Sequence, residues 1–181
     1  MQVIGLSGYA RTGKDTVARI LVDEYSFTRI GFADPLYELM LRLDPYATSA
    51  GTRLSTVVAT YGWERAKDTF PEVRRLLQQH ATPARELIGD DIWIRAAFRK
   101  MEPDGRYVIT DMRFPNEMRA VREVGGLTVR VHRPGYGPAN GHISETALDG
   151  ERFAYEMWNA GTAADLRDDV ADLVRFMEGV D

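Results

Sequence analysis

One stretch of nine residues, Gly8-Tyr9-Ala10-Arg11-Thr12-Gly13-Lys14-Asp15-Thr16, limits what this chain can fold into more than any other. Before it runs Val3-Ile4-Gly5-Leu6, an apolar run that reads as a short buried strand. After it, Val17, Ile20 and Leu21 recur at the spacing of one helix face. Strand, glycine-bounded loop, lysine and helix in that order form a cradle for phosphate. The reasons are physical. Gly8 and Gly13 can take backbone angles closed to other residues. The loop can then turn its N–H groups inward as an anion nest. The helix that follows aims its positive dipole end at the same place, and Lys14 adds a full charge for β- and γ-phosphates.

The usual pattern puts Ser or Thr directly after the lysine, where a hydroxyl meets Mg²⁺. Here that position is Asp15, with Thr16 next. A carboxylate is a harder Mg²⁺ ligand than a hydroxyl, directly or through water. It also sets negative charge beside phosphate, which a metal or nearby arginines would have to offset. The plain alternative is a glycine-rich turn capped by Asp15 or Thr16. Strand, loop and helix together favour binding of a nucleoside triphosphate, though the loop alone does not name an acceptor.

The 181 residues suggest one domain large enough to bury a core. No apolar run approaches membrane length, and no basic segment with an apolar signal region precedes the first strand. The expectation is therefore a cytoplasmic protein with no membrane partner. There is no cysteine, which excludes disulfides, thiolate metal sites and a cysteine nucleophile. His80, His132 and His142 lack metal-ligand spacing. A formal net charge of −4 argues against a nucleic-acid binder. All but three of the 23 basic residues are arginine, whose planar fork suits phosphate. Composition bias is the bland explanation, but it leaves room for a functional subset.

Along the chain, Phe27 to Phe32 alternates like a strand. Asp34-Pro35 then starts a helix, with Asp34 as cap and Leu36, Leu39, Met40 and Leu43 at helical spacing. Asp34 at a strand's carboxyl end is also a ligand-site candidate. Residues 44–70 read poorly: Pro45, Gly51 and Gly62 interrupt, and Leu54, Val57, Val58 and Tyr61 suggest one short helix. Pro71 begins another, with Val73, Leu76 and Leu77 on one face and Arg74 beside it. Thr82-Pro83 marks a further helix start, carrying Arg85, and Ile94, Ala97, Phe98 and Met101 form a later stripe. Trp93, one position off that stripe, is either core or a base-stacking surface. Tyr107 to Thr110 is a strand tipped by Asp111, and Arg113 lies two residues on. An acidic residue there suits a second Mg²⁺ contact; Asn116 and Glu117 otherwise serve as helix-start residues. Gly125-Gly126 ends that helix, and Leu127 to His132 is another strand. Arg133 to Ile143 is a loop by composition, Ser144-Glu145 and Leu148 suggest a short helix, and Phe153 to Asn159 a last strand. Thr162 and Asp165 form a capping box before a terminal helix with Leu166, Val170, Leu173, Val174 and Met177 inward. The alternation predicts an α/β three-layer sandwich of the P-loop NTPase type. It would hold a mostly parallel sheet of about five strands, helices on both faces and a helical insertion near residues 44–101.

Three of these stretches together, Ser7-Gly8 through Thr16, Phe32-Ala33-Asp34-Pro35-Leu36, and Asp111-Met112-Arg113-Phe114-Pro115-Asn116-Glu117, resemble the deoxynucleoside monophosphate kinases of tailed bacteriophages. His142-Ile143-Ser144-Glu145 and Asn159-Ala160-Gly161 are similar too. The lysine–aspartate loop is shared with animal-type phosphomevalonate kinases, so the Asp-x-Arg-Phe-Pro-Asn-Glu stretch is the more specific. The chain departs from the pattern at Ala81-Thr82-Pro83-Ala84-Arg85, where a Gly-Thr-Glu-like turn is usual.

The resemblance implies transfer of the γ-phosphoryl group of ATP to a deoxynucleoside 5′-monophosphate, with Mg²⁺. On that reading Gly8, Arg11, Thr12, Gly13, Lys14, Asp15, Thr16, Asn159 and Gly161 hold ATP. Asp15, Thr16 and Asp111 organise the metal. Lys14, Arg85, Arg113 and Arg133 carry the catalytic charge, with residues 133–143 as a lid hinged at Arg133. Asp34, Arg74, Arg85, Trp93, Asp111, Arg113 and Glu145 line the acceptor. Partners are small-molecule nucleotides, and a homodimer would be unsurprising on family likeness alone. The rival readings are a kinase of another small acceptor, of the phosphomevalonate or dephospho-coenzyme A type, and a nucleotide-dependent switch without kinase activity.

Overall fold

The computed structural model describes residues 1–138 and 143–179. In chain order the elements are β1 (Gln2–Ser7), α1 (Lys14–Tyr25), β2 (Thr28–Ile30), α2 (Asp34–Leu43), α3 (Leu54–Thr69), α4 (Pro71–Ile88), α5 (Ile92–Phe98), β3 (Arg106–Ile109), α6 (Pro115–Glu123), β4 (Leu127–His132), α7 (Ile143–Thr146), β5 (Tyr155–Trp158) and α8 (Ala163–Glu178). They divide into two compact units, Met1–Phe32 with Lys100–Asp181, and Ala33–Arg99.

The first unit holds a five-stranded sheet in the order β2-β3-β1-β4-β5, every pair parallel. Ile4 pairs with Val108 and Leu6 with Val129. Strands buried on both faces read as continuous apolar runs, which is why β1 and β3 were visible in the sequence. On one face Ile4, Leu6, Val108, Val129 and Met157 pack with Val17, Ile20 and Leu21 of α1 and Leu166, Val170 and Leu173 of α8. The other face of β1 carries Gly5. A methyl group there would press on Met112 and on Val121 of α6, so the missing side chain admits that helix. Because all strands run the same way, the segments after β1, β3, β4 and β5 share one edge, where open α/β sheets bind ligands. The α8 cap is as expected: Thr162 N–H donates to Asp165 Oδ2 at 2.7 Å, and Asp165 N–H to Thr162 Oγ1 at 3.3 Å.

The second unit is helical, with Met40, Leu54, Val57, Ala66, Val73, Leu76, Leu77 and Trp93 in its core. Here the sequence reading needs correction. No helix starts at Thr82-Pro83; α4 runs through both to Ile88. Proline removes one helical hydrogen bond, but Ala81 and Ala84 pack on the core on either side of it, and that packing keeps the turn wound. Asp34 does not cap α2. Ala33 holds that position without a side-chain cap, and Asp34 is the first helical residue. Only Leu36 and Met40 of the expected stripe are buried, while Leu39 and Leu43 are exposed. Instead of one short helix, α3 runs to Thr69, broken where Gly62 takes φ 70°, ψ 163°. Met101 lies beyond the end of α5. In the sheet unit, β5 is shorter than the expected Phe153–Asn159 run.

Candidate active site

The loop between β1 and α1 has the backbone its glycines foretold. Gly8 has φ 135° and Gly13 φ 108°. A side chain on Gly8 would meet the Val131 carbonyl, and one on Gly13 the Asn159 side chain. Arg11 also has positive φ, at 64°, a conformation that costs a non-glycine residue about 1 kcal/mol or more. Neighbouring segments hold it there. Thr12, 1% exposed, donates from Oγ1 to the Tyr9 carbonyl at 3.0 Å. Asn159 Nδ2, just past β5, donates to the Thr12 carbonyl at 2.9 Å. Arg133 Nη1, just past β4, reaches the Arg11 carbonyl at 3.4 Å, and its guanidinium lies 4.8 Å from the Tyr136 ring centre.

Lys14 Nζ donates to the carbonyls of Gly8 and Tyr9, both at 2.7 Å. Burial lowers its pKa to about 8, and the Arg113 guanidinium pushes the same way against the upward pull of Asp15 and Glu145. A cation so placed gains from any anion that enters beside it. The space beside it is a cleft lined by Ser7, Gly8, Ala10, Lys14, Asp111, Met112, Arg113, Arg130, Ser144, Glu145 and Leu148.

Each wall has a local cause. Asp111 Oδ1 accepts the Phe32 N–H at 2.8 Å, tying the ends of β2 and β3 together. Glu117, 4% exposed, accepts the N–H groups of Arg113 and Phe114 at 2.7 and 3.0 Å. It therefore starts α6 and sets the backbone of Arg113 in one act. Arg113 Nη1 lies 3.6 Å from Glu145 Oε1 of α7, whose side chain is only 10% exposed. Arg130, inside β4, is the wall residue that sequence reasoning missed. Its Nη1 donates to the Leu148 carbonyl at 3.0 Å and its Nη2 to Asp149 at 2.5 Å. Asp149 also accepts the Tyr9 hydroxyl at 2.9 Å. The signal was a charged residue in an otherwise apolar parallel strand, where burial demands a partner.

The cleft thus gathers Gly8, Lys14, Asp111, Arg113 and Glu145 from the expected set, with Arg11, Thr12, Gly13, Asn159 and Arg133 on the loop or tied to it. Asp15 is exposed and Thr16 half-buried in the first turn of α1. Gly161 lies at the start of α8, where a side chain would collide with the Asp165 carboxylate. Asp34, Arg74, Arg85 and Trp93 belong to the helical unit. There Arg74 binds Asp68 at 2.6 Å and the Lys67 carbonyl at 2.8 Å, Arg85 sits in the last turn of α4, and Trp93 is 8% exposed. The expected lid is described as far as Pro138; residues 139–142, His142 among them, lie outside the described residues.

For a metal, the described residues offer no cluster of three or more His, Cys, Asp or Glu side chains.

A parallel sheet with a glycine–lysine phosphate loop after its central strand and cations converging beside it defines a P-loop kinase. No family model matches the sequence. A provisionally named deoxynucleotide monophosphate kinase of Acanthamoeba polyphaga mimivirus is 30% identical over 169 residues, covering 82% of each chain. The deoxynucleoside-5′-monophosphate kinase of Escherichia phage T5 is 26% identical, covering 87% of this chain and 89% of the relative. Among solved structures, the dephospho-CoA kinase of Campylobacter jejuni covers 99% of both chains at 12% identity and a TM-score of 0.48. The chain belongs to the deoxynucleoside monophosphate kinase family.

Proposed function

We propose that this chain transfers the γ-phosphoryl group of ATP to a deoxynucleoside 5′-monophosphate, giving the diphosphate and ADP. The observation that carries the reading is the convergence of Lys14, Arg113 and Glu145 on one cleft beside the loop. The acceptor phosphate has a second pKa near 6, so it is mostly a dianion at neutral pH and needs no general base. Catalysis is then alignment plus neutralisation of charge on the moving group. Loop amides and Lys14 hold the donor tail. Phosphate oxygens draw Lys14 Nζ off the Gly8 and Tyr9 carbonyls and keep it charged. Arg113, steered by Glu145, meets the transferring or acceptor phosphate, Arg133 adds charge beside the loop, and Arg85 of the helical unit is a further candidate for phosphate contact. Glu145 is the acceptor-facing residue of the sheet unit, Asn159 and Gly161 face the donor, and Asp34 and Arg74 of the helical unit are further candidates for the acceptor, whereas Trp93 belongs to that unit's core. Asp15, Thr16 and Asp111 are the candidates to hold Mg²⁺, which would supply positive charge against that of the phosphates.

The partners are small nucleotides, consistent with the net charge of −4, and the proposed place of action is the cytoplasm. No helix among the described residues is long and apolar enough to cross a membrane. The test is a panel of acceptors with labelled ATP: the four dNMPs, the ribonucleotides, phosphomevalonate and dephospho-coenzyme A. At least one dNMP should be turned over by the wild type and none by Lys14→Ala. Turnover of a non-nucleotide acceptor alone would reject the proposal.

A further inference from the structure

Trp158 ends β5 with 60% of its surface exposed, against the tendency of tryptophan to be mostly buried. Its indole is nevertheless held. The His132 ring, its register partner at the end of β4, stacks on it with centroids 4.4 Å apart and planes 15° apart. His132 Nε2 lies 3.1 Å from a Glu156 carboxylate oxygen, which orients the imidazole. One indole face is covered and fixed, and the exposed surface is what remains. The position matters as much. The next residue, Asn159, is hydrogen-bonded to the Thr12 carbonyl, and Arg133, beside His132, reaches the Arg11 carbonyl. The stack therefore stands at the same sheet edge as the phosphate loop, one residue from each of two ties to it.

We propose that the Trp158–His132 stack is the platform for the base of the donor nucleotide. The proposal rests on the reading that loop 8–16 holds a nucleoside triphosphate. With the polyphosphate in that loop, the platform receives the flat heterocycle at the other end of the molecule. Stacking uses the π face that every base has, so it tolerates sequence and base identity. ATP and GTP should then bind within a few-fold of each other. The competing account is structural, an aromatic pair that merely covers the edge of β5; it predicts an effect on stability and none specific to a ligand.

Calorimetric binding to the whole protein separates the two, with ATP and inorganic tripolyphosphate as probes. Trp158→Ala should weaken ATP roughly 10-fold or more and leave tripolyphosphate unchanged; Trp158→Phe, which keeps a flat ring, should recover most of the ATP affinity. Equal losses for both probes, no loss for either, or Trp158→Phe as weak as Trp158→Ala at an unchanged melting temperature would each overturn the proposal. So would a loss confined to a deoxynucleoside monophosphate. Binding needs no turnover, so Trp158-dependent ATP binding in a protein inactive on every dNMP would reject the kinase reading and keep this one.

Discussion

Lys14 holds its charge against its surroundings, and two predictions follow from the sign of that effect. Its pKa is near 8 in the fold and 10.5 in the unfolded chain. Between those values the unfolded state binds the extra proton, so stability rises with pH; below about 8 the full penalty of burying the cation is present. At pH 7, Lys14→Met should lose phosphoryl transfer yet melt higher than the wild type, by on the order of 1–3 kcal/mol net of the two carbonyl bonds. Thermal unfolding as a function of pH should show that gap closing from about pH 8 to 10.5. Activity has the opposite dependence. kcat/KM for ATP, which reports the free enzyme, should fall as pH passes about 8, while kcat holds to higher pH because bound phosphate favours the charged lysine. Glu117 acts at the same scale through two backbone N–H groups. Glu117→Ala should destabilise by about 2–3 kcal/mol and reduce turnover by releasing the Arg113 backbone, with Glu117→Gln intermediate; melting curves and steady-state kinetics read the two effects.

Among the elements, the helices of the second unit show where local rules and packing disagree. Pro83 sits inside α4 and leaves the Gln79 carbonyl without its helical donor. Pro83→Ala should therefore stabilise by about 1–2 kcal/mol, less than the full intrinsic difference because the native turn has already adapted. Gly62 is the reverse case. Nothing crowds its α-carbon, but φ 70° with ψ 163° is closed to side-chain-bearing residues. Gly62→Ala should cost about 1–3 kcal/mol. Guanidinium unfolding of both variants checks the two signs together. Strands were the more legible elements. Val3 to Leu6 and Tyr107 to Ile109 are apolar because parallel strands have no solvent face, and that pattern survives in one dimension. A helix start at Thr82-Pro83 was misread because local proline chemistry is visible in a sequence and the core contacts of Ala81 and Ala84 are not.

For the whole molecule, ligand binding should appear as stability. At 100 times its dissociation constant, a nucleotide that binds only the folded chain adds about 2.7 kcal/mol, a melting shift of roughly 5–10 °C for a chain of this size. ATP should produce it in the wild type and not in Lys14→Ala, read by calorimetry. What the chain determined on its own is the phosphate loop and the sheet around it: glycines at 8 and 13, a lysine at 14 and apolar strands act over a few residues, within reach of local sterics and periodicity. What only the tertiary structure decided is which charges stand together. Arg130, Asp149 and Tyr9 are far apart in the chain, as are Arg113 and Glu145, and both groups exist because parallel strands deliver their carboxyl ends to one edge. A buried charge must find its partner in space, and no spacing along the chain records where that partner is.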